Sequence, residues 1–324
     1  MLPLDFGWRC SEERARSEAV PRADPLQNVT YSIVARDRET GELGVAVQSH
    51  WFGVGPIVAW ALPGIGAVAT QANADVSYGP RALDLMEGGV AAPEALAQLL
   101  AEDPGAAGRQ VAVLDTVGRI GVHTGDACIP FAGHTTGDGV SCQANIMASE
   151  RVWPEMLRAY QAASGSLKTR LLAALEAAEA AGGDLRGRQS AAILVVPAEG
   201  KRWETVVSLR VEDHPEPLAE LRRLVGVHDA YVLAGEADEL VNEGRHDEAA
   251  KLYREAGALA PDSHELRFWA GLGAAQAGDL ETGVAQVRAA IDEHPPWREL
   301  LGRLSPEVAP AADEVLAALD RDAR

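Results

Sequence analysis

The sequence predicts an α+β domain of antiparallel sheets with helices packed outside, followed by an all-α module. Three observations carry this expectation. Between residues 30 and 213, short β-type runs are joined by tight turns and not by helical crossovers, which favours antiparallel pairing over a doubly wound parallel sheet. Alanine-rich helical segments interrupt those runs in blocks. From about residue 217 the strand signal ends and a 34-residue repeat begins.

A chain of 324 residues accommodates two or three domains. Three zones are expected: a disordered or propeptide-like lead over 1–29, the α+β domain over 30–213, and a helical domain over 217–324. The lead carries three prolines and the mixed-charge run SEERARSEAVPRADP, with no sustained hydrophobic period. TYSIVARD and LGVAVQSH then form a hairpin across Glu39, Thr40, Gly41 and Glu42, and IGAVATQA is a third strand closed by a loop over 73–80. Helices are expected at 80–87 and 93–101, the second with Pro93 near its N-terminus. RQVAVLDTVGRIGVHTG reads as a second hairpin turning at Val117 and Gly118, and GVSCQANIM as a further strand. Helices follow at 150–163 and 167–181, the latter ended by Gly182 and Gly183. QSAAILVVP and TVVSLRVED supply a final strand pair.

In the helical zone, Gly244 and Gly278, Ala256 and Ala290, and Pro261 and Pro295 are each 34 residues apart. Ala249 faces Gly283 and Tyr253 faces Val287 at the same offset. Small residues let two antiparallel helices approach, Tyr253 fills between them and Pro261 stops the second. The period resembles tetratricopeptide repeats, with one unit over 229–263 and a weaker one over 264–297. Two units fall short of a free solenoid, so these helices are expected to dock on the first domain or on another subunit.

Composition excludes several functions. The net charge of −19 repels phosphate backbones and anionic membrane surfaces, so neither nucleic acid nor membrane is expected as a partner. There is no apolar stretch of 18 residues, and Cys10, Cys128 and Cys142 show no C-x-x-C spacing, which together point to a cytoplasmic protein with reduced thiols. The eight histidines lack zincin spacing and no glycine-rich loop follows the first strand, so no metal or other cofactor is expected.

TYSIVARDRETGELGVAVQSH, GAVATQANADVSYGPRALDLMEGG, CQANIM and GGDLRGRQSAAILVV together resemble the bacterial family known as domain of unknown function 1028 (DUF1028), which is grouped with the N-terminal nucleophile hydrolases. That resemblance implies a four-layer αββα sandwich. It also implies that the residue heading the first strand attacks through its side chain and uses its own α-amino group as base. Members commonly begin Met-Thr-x-Ser-Ile, and the matching residue here is Thr30, behind 29 residues. A threonine hydroxyl is a weak nucleophile without a positioned base. An α-amino group, titrating near pH ~8, serves as one where an amide nitrogen cannot. Three readings stay open: the lead is removed between Val29 and Thr30, translation starts nearer Thr30, or the lead persists and the protein is not active through this mechanism; against all three stands Thr30 as only a β-branched strand residue. Proteasome-type members of the superfamily carry an acid after the second strand and a lysine on the third; here Gln48, Ser49 and His50 end the second strand and IGAVATQA has no lysine.

Further candidates sit around that nucleophile position. Ser49 is expected to assist Thr30, with His50 as an alternative base. Gln71 and Asn73 close the third strand as substrate or oxyanion donors. Asn145 is either another such donor or a member of a structural network. The loop over 183–190 resembles the Asp-x-x-Ser-Gly loop of proteasome-type sites, so Asp184 would orient the amine, Ser190 would support it, and Arg186 or Arg188 would bind a substrate carboxylate. Cys142 with His123 or His134 is a rival nucleophile, against simple packing of a strand cysteine. The leading expectation is an amidohydrolase or peptidase-like enzyme cleaving a small amide or peptide-like bond through Thr30, in a homodimer. The alternative is a non-catalytic binding or scaffold protein that uses the sandwich pocket and recruits a protein partner through the repeat helices.

Overall fold

The structure, a computed structural model, describes residues 30–322. The expected lead over 1–29, with Cys10, lies outside the described residues. Two antiparallel sheets are present. The larger contains β1 (Thr30–Arg36), β2 (Leu43–Ser49), β7 (Gly133–Gly137), β8 (Val140–Asn145), β9 (Ser190–Val196) and β10 (Val207–Val211), in the order β10-β9-β2-β1-β8-β7. The smaller contains β3 (Ala59–Leu62), β4 (Gly66–Ala72), β5 (Arg109–Asp115) and β6 (Ile120–Thr124), in that order. Helices α1 (Gly55–Val58), α2 (Tyr78–Glu87), α3 (Ala92–Glu102), α4 (Val152–Ala162) and α5 (Leu167–Ala180) complete this part.

Alternation along each strand decides the packing. In β1, Tyr31, Ile33 and Ala35 face outward, where Met156, Leu171 and Leu175 from α4 and α5 cover them. Val34 faces the other way and meets Val45 and Val47 opposite Ala67, Ala69, Ala112 and Leu114 of the smaller sheet. The far side of that sheet presents Val68, Val111 and Val113 to Ala82, Leu83, Leu96 and Leu99 of α2 and α3. Helices, sheet, sheet and helices therefore stack in that order. Each aliphatic side chain so buried contributes about 1.5–3 kcal/mol.

The second zone contains α6 (Pro217–Asn242), α7 (His246–Leu259), α8 (His264–Gln276), α9 (Leu280–Glu293), α10 (Pro296–Leu301) and α11 (Ala312–Asp322). No linker separates it from the first. Helix α6 runs unbroken for 26 residues, with Leu218, Leu221 and Val225 in the core under the larger sheet and Ala230, Ala234 and Ala237 in the helical core. Ion pairs from Arg222 to Glu176 and from Lys168 to Asp229 tie it to α5. The repeat is visible in the backbone: α7 and α9 begin 34 residues apart, each preceded by a glycine with positive φ, Gly244 at 76° and Gly278 at 93°. Tyr253 of α7 lies so close to α8 that a Cβ on Gly273 would stand 2.5 Å from its ring.

Elements beyond the expected set include α1, the four-residue β3 and the β7 edge strand in the first zone and α10 and α11 after the repeat. Helix α2 also starts at Tyr78, so Pro80 lies in its first turn, where its missing N–H is harmless. Among the described residues, no helix is long and apolar enough to cross a membrane.

Candidate active site

Antiparallel register brings four of the expected residues to one end of the larger sheet. Thr30 pairs with Ser49 on one side and Asn145 on the other, and Ser49 pairs with Ser190. Thr30 Oγ1 donates to Ser49 Oγ at 3.2 Å, and both residues are buried. Ser190 is adjacent, but its hydroxyl is engaged elsewhere. It donates to the Trp51 carbonyl at 2.5 Å and accepts from the Val54 amide at 3.1 Å, pinning the turn that follows β2.

The loop carrying Asp184 leaves α5 through Gly182 and Gly183. Gly183 has φ 57°, and a Cβ there would stand 2.7 Å from the Glu179 carboxylate, so glycine is favoured. Asp184 then bridges Met147, just beyond β8, and accepts from the His50 amide, just beyond β2, at 2.9 Å. Those two strands flank β1. Asp184 is thus held across the end of β1 that Thr30 heads, buried and also accepting from the Arg186 amide at 2.9 Å and from its guanidinium. Arg188 turns outward to Glu179 and Glu216. Glu179 in turn accepts from the Tyr31 hydroxyl at 2.8 Å, and burial together with that carboxylate raises the phenol well above its ordinary range. The two guanidiniums expected to bind a substrate carboxylate are therefore bound to the protein's own carboxylates. The His50 ring is exposed beside the Arg188 carbonyl.

Between the sheets, beneath Thr30, lies a buried amide network. Gln110 Nε2 shares its two N–H groups among the carbonyls of Ala144 at 2.9 Å and Gly133 at 3.1 Å and Thr124 Oγ1 at 2.9 Å. Its oxygen accepts from Gln71 Nε2 at 2.7 Å and Asn145 Nδ2 at 3.0 Å. Gln71 and Asn145 both also donate to the Thr30 carbonyl, at 3.2 and 3.3 Å. Ser32, donating to Gln71 Oε1 at 2.5 Å, and Gln143, donating to Ser32 at 2.7 Å, extend the chain. The amide donors of Gln71 and Asn145 are consequently spent on holding Thr30. Both therefore hold the Thr30 backbone, which for Asn145 is the structural-network role that the sequence also left open. Gln110, Gln143 and Ser32 were not among the expected site residues.

Gln48 contrasts with this network. It is fully buried on the opposite face of β2, and neither amide atom has a partner. Replacing it by an apolar residue of similar volume removes two uncompensated polar atoms, so Gln48→Met is expected to stabilise the protein by about 1–3 kcal/mol in urea denaturation.

A cavity of about 170 Å³ opens beside Asn145, lined by Ala72, Asn73, Gly108, Ala127, Cys128, Ile129, Asn145 and Ile146. Gln71 and Asn145 are each followed by a non-glycine residue in the left-handed region, Ala72 at φ 64° and Ile146 at φ 54°. Such backbone costs roughly 1–2 kcal/mol per residue, and here both strained residues form the cavity wall. Asn73 is held from behind by Arg109, which donates to the Asn73 carbonyl at 2.5 Å and to Asp103 at 2.7 Å. Arg109, together with the Gly105 amide and the Tyr78 hydroxyl, lowers the Asp103 pKa to about 2. Because the folded value lies below the unfolded one, this stabilisation of about 2 kcal/mol is complete above pH ~4 and lost as pH falls through about 2. Asp103→Asn should lower stability at pH 7 by that amount and flatten the acid limb of a urea-stability profile. Cys142 is fully buried in the core under α4 and α5, where desolvation raises its thiol far above the reactive range, so it packs and does not attack.

The model of the family of unknown function DUF1028 matches residues 30–221. Among solved structures, the crystal structure of a Silicibacter pomeroyi protein of that family is similar to this chain at 31% identity and a TM-score of 0.56, covering 61% of this chain and 88% of the other. No curated protein matches the chain.

Proposed function

Since this chain belongs to the DUF1028 family, whose function is unknown, we propose that it is a hydrolase of the N-terminal nucleophile type, cleaving a small amide or peptide-like bond at Thr30. The observation that carries the reading is the placement of Thr30: it heads the central β1, its hydroxyl rests on Ser49 at 3.2 Å, and Asp184 spans the two strands beside it. The stacking of helix, sheet, sheet and helix supports an αββα sandwich of that superfamily. The recurrence of α7 and α9 at 34 residues supports a tetratricopeptide-like module.

The chemistry requires a base that the network lacks, since every group around the Thr30 carbonyl is a neutral amide. Hydrolysis of the bond between Val29 and Thr30 supplies one by exposing the α-amine. The hydroxyl oxygen then adds to the substrate carbonyl as its proton passes to that amine, and the proton goes on to the departing nitrogen as the C–N bond breaks. Water cleaves the resulting threonine ester by the same route. Asp184 orients the amine, and Asn73, one of the residues lining the cavity, is the amide donor left for the oxyanion.

The neutrality of the network also favours a second reading, a binding protein without turnover. N-terminal sequencing and intact mass of the purified protein, with a screen of small amides and short peptides, separate the two. A chain beginning at Thr30 with turnover is expected; a chain retaining the lead, with no turnover of any compound, establishes the binding reading.

A further inference from the structure

We propose that the cavity beside Asn145 is a binding subsite for a small uncharged group that donates an N–H, of the primary carboxamide class. The argument starts from an atom that the network leaves over. Asn145 is 1% exposed, and its Oδ1 has no hydrogen-bond partner. The orientation of its amide is fixed from outside. Backbone carbonyls of Ala144 and Gly133 can only accept, which forces the nitrogen of Gln110 towards them and its oxygen towards Asn145. The nitrogen of Asn145 must therefore face Gln110 and the Thr30 carbonyl, so its oxygen cannot exchange places with it. A buried acceptor left without a donor is costly, and the residue that bears this one is among those lining the cavity.

The remaining wall selects the chemistry of the donor. No charged side chain lines the cavity. An ammonium would be buried without a counter-charge, and a carboxylate would meet the Asn145 oxygen with another acceptor. A neutral N–H meets neither penalty. A carboxamide also offers an oxygen, and Asn73, which carries an amide donor, is among the residues lining the same space. At about 170 Å³ the cavity lies below the usual ~300–1,000 Å³ of small-molecule clefts, so it takes a side-chain-sized group and not a whole ligand. The strained backbone at Ala72 and Ile146 holds two of its walls. This assignment rests on the cavity and stands whether or not Thr30 is a nucleophile.

Cys128, which lines the cavity, reports on occupancy in the full-length protein. Iodoacetamide is itself a neutral carboxamide and iodoacetate its anionic counterpart, and peptide mapping separates Cys128 from Cys10 and Cys142. Iodoacetamide is expected to label Cys128 with saturable kinetics, its advantage over iodoacetate exceeding that on a free cysteine peptide by about tenfold. Propionamide should protect Cys128, propionate should not, and Ala127→Leu, which fills the cavity from its exposed wall, should remove the protection. Equal protection by propionate, or protection by propionamide unchanged in Ala127→Leu, overturns the proposal. Saturation-transfer NMR with the same two probes reads binding without the thiol, and absence of a propionamide signal competed by excess propionamide overturns it equally. None of these readouts depends on turnover, so loss of the hydrolase reading leaves the result intact.

Discussion

Thr30→Ala is expected to abolish amide turnover, with kcat lower by a factor on the order of 10⁴ or more, as removal of a nucleophile does in acyl-transfer enzymes. The fold should survive. The substitution removes one hydroxyl contact, that to Ser49, while the network binds the Thr30 carbonyl, which alanine retains. A stability loss of about 1–2 kcal/mol is expected, measured by urea denaturation beside the kinetics. Thr30→Ser, which keeps the oxygen, should restore a measurable fraction of turnover. Ser49→Ala tests the neighbouring hydroxyl and should lower kcat by roughly 10–100-fold while the mature chain still begins at Thr30. If Thr30→Ala left kcat unchanged, the nucleophile assignment would fall, and with it the need for cleavage before Thr30.

The distribution of polar residues explains which parts of this site were legible before the fold was known. Thr30, Ser49, Gln71 and Asn145 stand at strand ends, where a change from apolar to polar character marks the boundary and draws the eye. Gln110 and Gln143 lie within alternating strands, where a polar residue reads as a solvent-facing position. Only the face-to-face packing of two sheets shows that both sides of β5 and β8 are buried, so that an inward glutamine must find partners inside. The same limit hid β7: GHTTG has no apolar alternation, because it is an edge strand with one wet face. It also hid β3, whose AWAL follows the helical turn GPIV without a polar break. Arg186, expected at a substrate carboxylate, is turned back by its own loop onto Asp184, a pairing absent from the expectations drawn from sequence. That Arg188 would be drawn off to Glu179 and Glu216 depends on α5 and α6 meeting, which a linear sequence does not announce.

Gln110→Leu is expected to be among the most destabilising single substitutions in the first domain, although it nearly conserves volume. Gln110 is the hinge of the network: two backbone carbonyls accept from it and two side-chain amides donate to it. Leucine leaves all four short of a partner, and Thr124 Oγ1 as well. At roughly 1–3 kcal/mol per uncompensated group, and allowing for the bonds Gln71 and Asn145 keep to Thr30, a loss of about 4 kcal/mol follows. For a domain of this size that is a fall in Tm of about 10 °C. Gln110→Glu separates donor from acceptor. Its carboxylate can still accept from Gln71 and Asn145 but cannot donate to the Gly133 and Ala144 carbonyls, and it is charged and buried. Burial raises such a carboxyl above its unfolded value, so its destabilisation should be greatest at pH 7 and shrink as pH falls and the acid regains a donor. Denaturation of both variants across pH 4–8 checks the pair. A Gln110→Leu protein as stable as the parent would mean the amides beneath Thr30 find other partners, and the rigid seat argued for the nucleophile and for the Asn145 oxygen would be lost together.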